Sequence, residues 1–152
     1  MEKLDYLGFE FKLISKCSYA SVYYNSELSF AMCIADVEYI PIENFKNIFL
    51  TISDLMETQT IHHLLFDKHN LRTFHQPSME WYFAIWKPSV KHKGLTNHYK
   101  ILPQQEWFKQ AVNAGKHEIL KKYTSEILNG IQVTYLNSID DAIGHVSRMR
   151  AS

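Results

Sequence analysis

Residues 41–67, PIENFKNIFLTISDLMETQTIHHLLFD, carry the pattern that decides the fold. Pro41 suits the first position of a helix, where a missing N–H loses no hydrogen bond. Ile42, Phe45, Phe49, Ile52 and Met56 then recur at helical spacing, and Ile48 and Leu55 widen the stripe. Glu43, Lys46, Asn47 and Asp54 fall on the opposite side. The spacing predicts an amphipathic helix. Ile61–Asp67 (IHHLLFD) is a short apolar run ending in an acid, which predicts a central strand with a polar carboxyl end.

Outward from this helix–strand pair, the same two periods recur. Upstream, SYASVYYN (18–25) is rich in Tyr and Val, Asn25-Ser26-Glu27 reads as a turn, and LSFAMCIA (28–35) is an apolar run of strand length. Together they predict a hairpin. Leu4–Leu13 alternates at Phe9, Phe11 and Leu13, so residues 1–17 add one further strand or an extended lead-in. Downstream, Pro77-Ser78 opens a helix carrying Met79, Tyr82, Phe83 and Trp86, with a kink or break at Pro88 and an end at Gly94. A strand around Tyr99–Leu102 stops at Pro103. Gln105–Ala114 is helical with Trp107, Phe108, Ala111 and Val112 inward, Gly115 interrupts, and Lys116–Leu128 continues as helix. IQVTYL (131–136) alternates as a strand. Ser138, with Asp141 three residues on, caps a last helix bearing Ile139, Ala142, Ile143 and Val146. Strands alternating with helices predict a layered α/β fold: a mixed, mostly parallel sheet of about four to six strands, with helices packed on it.

Composition sets outer bounds. The 152 residues suit one domain, 1–152, and 46% hydrophobic with 21% charged residues excludes a disordered tail. Sixteen Lys and Arg balance sixteen Asp and Glu, so overall charge gives no reason to expect nucleic acid. No apolar run approaches the roughly 20 residues of a membrane span, and the first residues lack the basic start and apolar stretch of a secretory signal; a cytoplasmic location is expected. Cys17 and Cys33 are too few for a disulfide framework and are expected as buried thiols.

The element order, with several residues, resembles the STAS superfamily, and within it the bacterial SpoIIAA-like proteins related to anti-sigma-factor antagonists and to the CRAL-TRIO lipid-transfer fold. The matching residues are Asp67 at the end of the central strand, Trp81 and Trp86-Lys87-Pro88, Gly94-Leu95, and Tyr135-Leu136-Asn137-Ser138-Ile139-Asp140-Asp141-Ala142. The likeness runs from about Ser18 to Val146 and implies a STAS-like domain and a non-enzymatic regulatory role. In the antagonists a phosphorylatable Ser follows the acid at once. Here Lys68-His69-Asn70 follows Asp67, and Ser78 stands beyond a loop.

Chemistry is signalled by charge placement rather than by motif. His62 and His63 are adjacent on a strand and point to opposite faces, so they cannot share a metal. Neither a zinc motif nor a nucleophile elbow nor a phosphate loop occurs, so no catalytic residue, metal or cofactor is assigned. Residues 1–60 hold four lysines against nine acids, whereas 61–122 hold ten Lys and Arg against four acids, with seven of the eight histidines. Lys68, Arg72, Lys87, Lys91, Lys93 and Lys100, with His69, His75, His92 and His98, form either a solvated basic face or a site for an anion or acidic partner. Open sheets bind ligands beyond the carboxyl ends of their strands. Asp67, Lys68, His69, Arg72, His75, Lys87 and Lys91 are therefore the candidate partner- or ligand-binding residues. The expected function is an interaction module that binds a protein partner, a second copy of the chain included, or an anionic group near the loop after the central strand. The alternatives are a small apolar or anionic ligand in a CRAL-TRIO-like pocket, or an enzyme built on Asp67, His69 and Arg72.

Overall fold

The computed structural model describes residues 3–124 and 133–151. Residues Lys3–Tyr6 (β1), Phe9–Lys16 (β2), Ala20–Asn25 (β3) and Phe30–Ala35 (β4) form an antiparallel meander. Then come Ile42–Leu55 (α1), His63–Asp67 (β5), Gln76–Trp81 (α2), a π-helical turn Tyr82–Trp86, Lys87–Lys91 (α3), Asn97–Ile101 (β6), Glu106–Lys122 (α4), Thr134–Tyr135 (β7) and Ile139–Ala151 (α5). The seven strands lie in the sheet in chain order, above the four to six expected. β4, β5, β6 and β7 pair in parallel. The fold is thus the layered α/β arrangement with a mixed sheet that the alternating periods predict.

Each parallel step moves one strand further in the same direction. Right-handed crossovers then all fall on one face, and α1, α2, α3 and α4 are found there. Their core joins Phe45, Phe49 and Ile52 of α1 to Leu64 and Phe66 of β5 and to Tyr82, Trp86, Phe108 and Val112. Phe49 sits at its centre, with ring centroids 4.8 Å from Phe45, 5.2 Å from Phe66 and Tyr82, and 5.0 Å from Trp86. The opposite face is covered by Ala142, Ile143 and Val146 of α5, packed with Phe11, Tyr23, Leu65 and Tyr99. Ser138 caps α5 as expected, accepting a hydrogen bond from the Asp141 N–H at 3.0 Å.

Several expectations are corrected. The alternating run at the amino end folds back on itself. Leu7 (φ 53°) and Gly8 (φ 84°) make a two-residue turn with both residues left-handed, so the lead-in becomes two strands. Near Pro88 the expected kink or break takes the form of the π-helical turn Tyr82–Trp86, and the helical segment that α2 opens continues past it. The helix widens into the π turn just before the proline, which has no N–H to donate to the carbonyl four residues back, and then runs on to Lys91. Gly115 does not interrupt α4: it is buried where the helix crosses the α2 region, and a Cβ there would lie 2.9 Å from Met79 Sδ and 3.0 Å from Phe74 Cζ. Trp107, expected inward, is 49% exposed, and Cys17 is exposed whereas Cys33 is buried. The expected helix to Leu128 reaches Lys122, and the expected strand 131–136 appears as Thr134–Tyr135; residues 125–132 lie outside the described residues. Among the described residues no helix is long and apolar enough to cross a membrane.

Candidate functional site

Strand alternation divides the carboxyl end of the sheet between its two faces. In β5, Leu64 and Phe66 point to the α1–α4 side and Leu65 to the α5 side. Asp67 follows Leu65, and Lys68 follows Phe66. The Lys68 N–H donates to the Ile101 carbonyl at 2.8 Å, which keeps Lys68 in the sheet's alternation one residue past the strand. In β6, His98 and Lys100 point to the α1–α4 side, while Tyr99 and Ile101 join the α5 core. Lys100 pairs in register with Phe66 of β5. The two lysines therefore meet on one face and Asp67 lies on the other.

On the helix side, Lys68 and Lys100 line a cavity of about 50 Å3 walled by Phe66, Tyr82 and Phe108, with Thr73, His75 and Ser78 at its edge. Lys100 is 3% exposed. Its Nζ lies 4.0 Å from the Tyr82 ring centroid and 4.4 Å from that of Phe83. Lys68 Nζ lies 5.5 Å from Phe66 and 5.8 Å from Phe108. Ring faces attract the cations but leave their charge uncancelled. Among the described residues no carboxylate pairs with Lys68 or Lys100.

Burial in this apolar setting disfavours the charged forms. It pushes Lys68 down to about 8, helped by the Lys116 ammonium. Lys87, buried with its Nζ 5.2 Å from Phe83, is lowered to about 7 by burial and then by Lys116. Lys100 falls well below the ordinary lysine value, through burial first and then through Lys68, Lys87 and Lys116. His98, paired with the Tyr82 hydroxyl at 2.8 Å, is pushed to about 2 by burial and by Lys87 and Lys100, and so stays neutral. His75 Nδ1 and Ser78 Oγ are 2.8 Å apart beside the same cavity.

On the α5 side, the Asp67 carboxylate is buried. It accepts the His69 N–H at 3.0 Å and pairs with His69 Nδ1 at 2.7 Å. It opens on a cleft of about 500 Å3 shared with Tyr6, Arg72, Gln105 and Asp140. Arg72 Nη1 is engaged by two backbone carbonyls, those of His69 and Leu71, each at 2.8 Å.

The seven candidate residues therefore do not form one basic surface. Lys68 and His75 reach the lysine cavity. Lys87 is buried beside Phe83 of the same helical segment. Asp67, His69 and Arg72 line the cleft on the opposite face, and Lys91 is exposed at the end of α3. Lys100, counted in the sequence only among a set of basic residues, is the most buried lysine of the site. Its signal was present: His98 and Lys100 alternate with Tyr99 and Ile101, so one whole side of this interior strand is polar. Among the described residues no three His, Cys, Asp or Glu side chains gather as a metal site would require. No family model, curated protein or solved structure matches this chain.

Proposed function

We propose that the protein is a binding module for a small anion or for the anionic end of a small molecule, held between Lys68 and Lys100. One observation carries this reading: two buried lysines share a cavity, and among the described residues no carboxylate pairs with either. A buried ammonium without a counter-charge is costly, and a bound carboxylate or phosphate supplies that charge. The cavity also lies at the carboxyl ends of β5 and β6, where open sheets place ligands. The resemblance to STAS domains supports the same region, since it implies a regulatory surface after the central strand. A cavity of about 50 Å3 favours an anion over an extended apolar ligand.

Binding in this pocket draws a proton onto Lys68, because the anion stabilises its charged form. Affinity therefore falls as pH rises through the Lys68 value of about 8. The test is thermal unfolding in acetate or phosphate against chloride at matched ionic strength. Acetate or phosphate should raise the wild-type midpoint by mass action and leave that of Lys68→Met unmoved. Identical midpoints of the wild type in all three salts would overturn the reading.

A further inference from the structure

Anion binding alone leaves the character of Lys100 unused. Resting on the reading above, we propose that Lys100 is a nucleophilic amine that forms an imine with a small oxo acid, whose carboxylate is held by Lys68.

The geometry distinguishes the two amines. Lys100 Nζ lies against the rings of Tyr82 and Phe83 at 4.0 and 4.4 Å, and it has neither a carboxylate nor a hydrogen-bond acceptor among the described residues. The titratable groups around it are Lys68 beyond β5, Tyr82 and Lys87 on the second helical segment, His98 on its own strand, and Lys116 on α4. Tyr135 is its register partner on β7, and Cys33 lies on β4. The tyrosines and Cys33 remain protonated, because burial pushes all three up. His98 is neutral and the rest are lysines, so nothing in this set favours charge on Lys100. Desolvation and a neighbouring cation are the two devices that make a lysine a free amine at neutral pH. Lys68 keeps its proton to about 8, so one amine can attack while the other holds a negative charge.

The step balances without any redox partner. The Lys100 nitrogen lone pair attacks the carbonyl carbon, a C–N bond forms, and the C=O π pair moves to oxygen, which takes a proton from nitrogen. The carbinolamine then loses its hydroxyl as water, with the second nitrogen proton, and leaves the imine. The cavity of about 50 Å3 restricts the partner to a few heavy atoms, of which glyoxylate is the smallest with both an aldehyde and a carboxylate.

Glyoxylate is therefore the probe. The full-length protein is incubated with it and with cyanoborohydride at neutral pH, and each lysine is followed by peptide mass spectrometry. Reduction of the imine leaves a carboxymethyl group on the labelled nitrogen. Lys100 should be labelled roughly tenfold or more faster than the exposed Lys91 and Lys109. Acetate should slow that labelling, and acetaldehyde, which lacks the carboxylate, should lose the preference. In Lys68→Met, Lys100 should still be labelled, but with no advantage for glyoxylate over acetaldehyde. Labelling of Lys100 no faster than that of Lys91 would overturn the imine while leaving anion binding intact, provided acetate still raises the unfolding midpoint. Fast labelling by both aldehydes in the wild type would overturn the role of Lys68. A midpoint indifferent to acetate would overturn the parent reading.

Discussion

A lysine amine enclosed by two aromatic rings is held at a cost that its neighbours do little to offset. Tyr82 and Phe83 attract the charged form of Lys100, but burial disfavours that form, and Lys68, Lys87 and Lys116 repel it. Methionine has nearly the same length and no charge to desolvate. Lys100→Met should therefore stabilise the protein, by about 1–3 kcal/mol, the usual range for removing an unpaired buried polar group. Urea denaturation measures it, and a less stable variant would mean that Lys100 holds a structural contact. Asp67 shows the opposite case. Its carboxylate is as deeply buried, yet it is satisfied by the His69 N–H and ring, so it reads as a fixed point of the loop.

At the scale of elements, α1 and the π turn determine the shape of the cavity wall. The widened turn brings Tyr82, Phe83, Ala84 and Trp86 all to the buried side, which a regular α-helix of this length does not do. Trp86 Nε1 donates to Ser53 Oγ of α1 at 2.8 Å, tying the two helices together. Phe49 is the packing link between them and β5. Phe49→Ala should cost about 3–5 kcal/mol, as expected for removing a fully buried aromatic ring. An unchanged denaturation midpoint would contradict the packing of α1 on the sheet. Gly115 plays a comparable role for α4, since the close passage past Met79 and Phe74 leaves little space for a side chain.

At the scale of the molecule, buried lysines give stability an unusual pH dependence. Lys87 and Lys68 carry values of about 7 and about 8, and burial holds Lys100 well below the ordinary lysine value, whereas all three return to that value on unfolding. Between those limits the unfolded chain binds more protons than the native one, so stability rises with pH. Cys33 and Tyr82 act in the opposite sense: burial raises both, and unfolding lets them ionise from their ordinary values of 9.0 and 10.0 upward. His63 and His98, lowered to about 4 and about 2, remove stability as pH falls below the unperturbed histidine value. The sum predicts unfolding free energy that climbs from about pH 7 to about pH 10, where three lysines outweigh Cys33, and turns over above it as the unfolded tyrosines ionise. Urea titrations across this range check it. A flat or falling profile would show that the lysines are solvated.

Elements whose signal is local are legible in the order of residues alone. The 3.6-residue stripe of Phe45, Phe49 and Ile52 located α1, the turn after Asn25 located the hairpin, and Ser138 with Asp141 located the start of α5. Alternation of strands with helices was enough for a layered α/β sheet. The folded structure was needed to show that Leu7-Gly8 reverses the chain, because a leucine in a left-handed turn leaves no compositional mark. It alone divided Asp67 from Lys68, since the face a strand-end side chain occupies depends on which partner strands and helices cover that face. It alone buried Lys68, Lys87 and Lys100. A lysine in a sequence reads as solvated because burial of its charge is costly. That cost is accepted here through long-range pairing, which sets Lys100 beside Phe66 and under Tyr82 and Phe83, and no local pattern of residues encodes it.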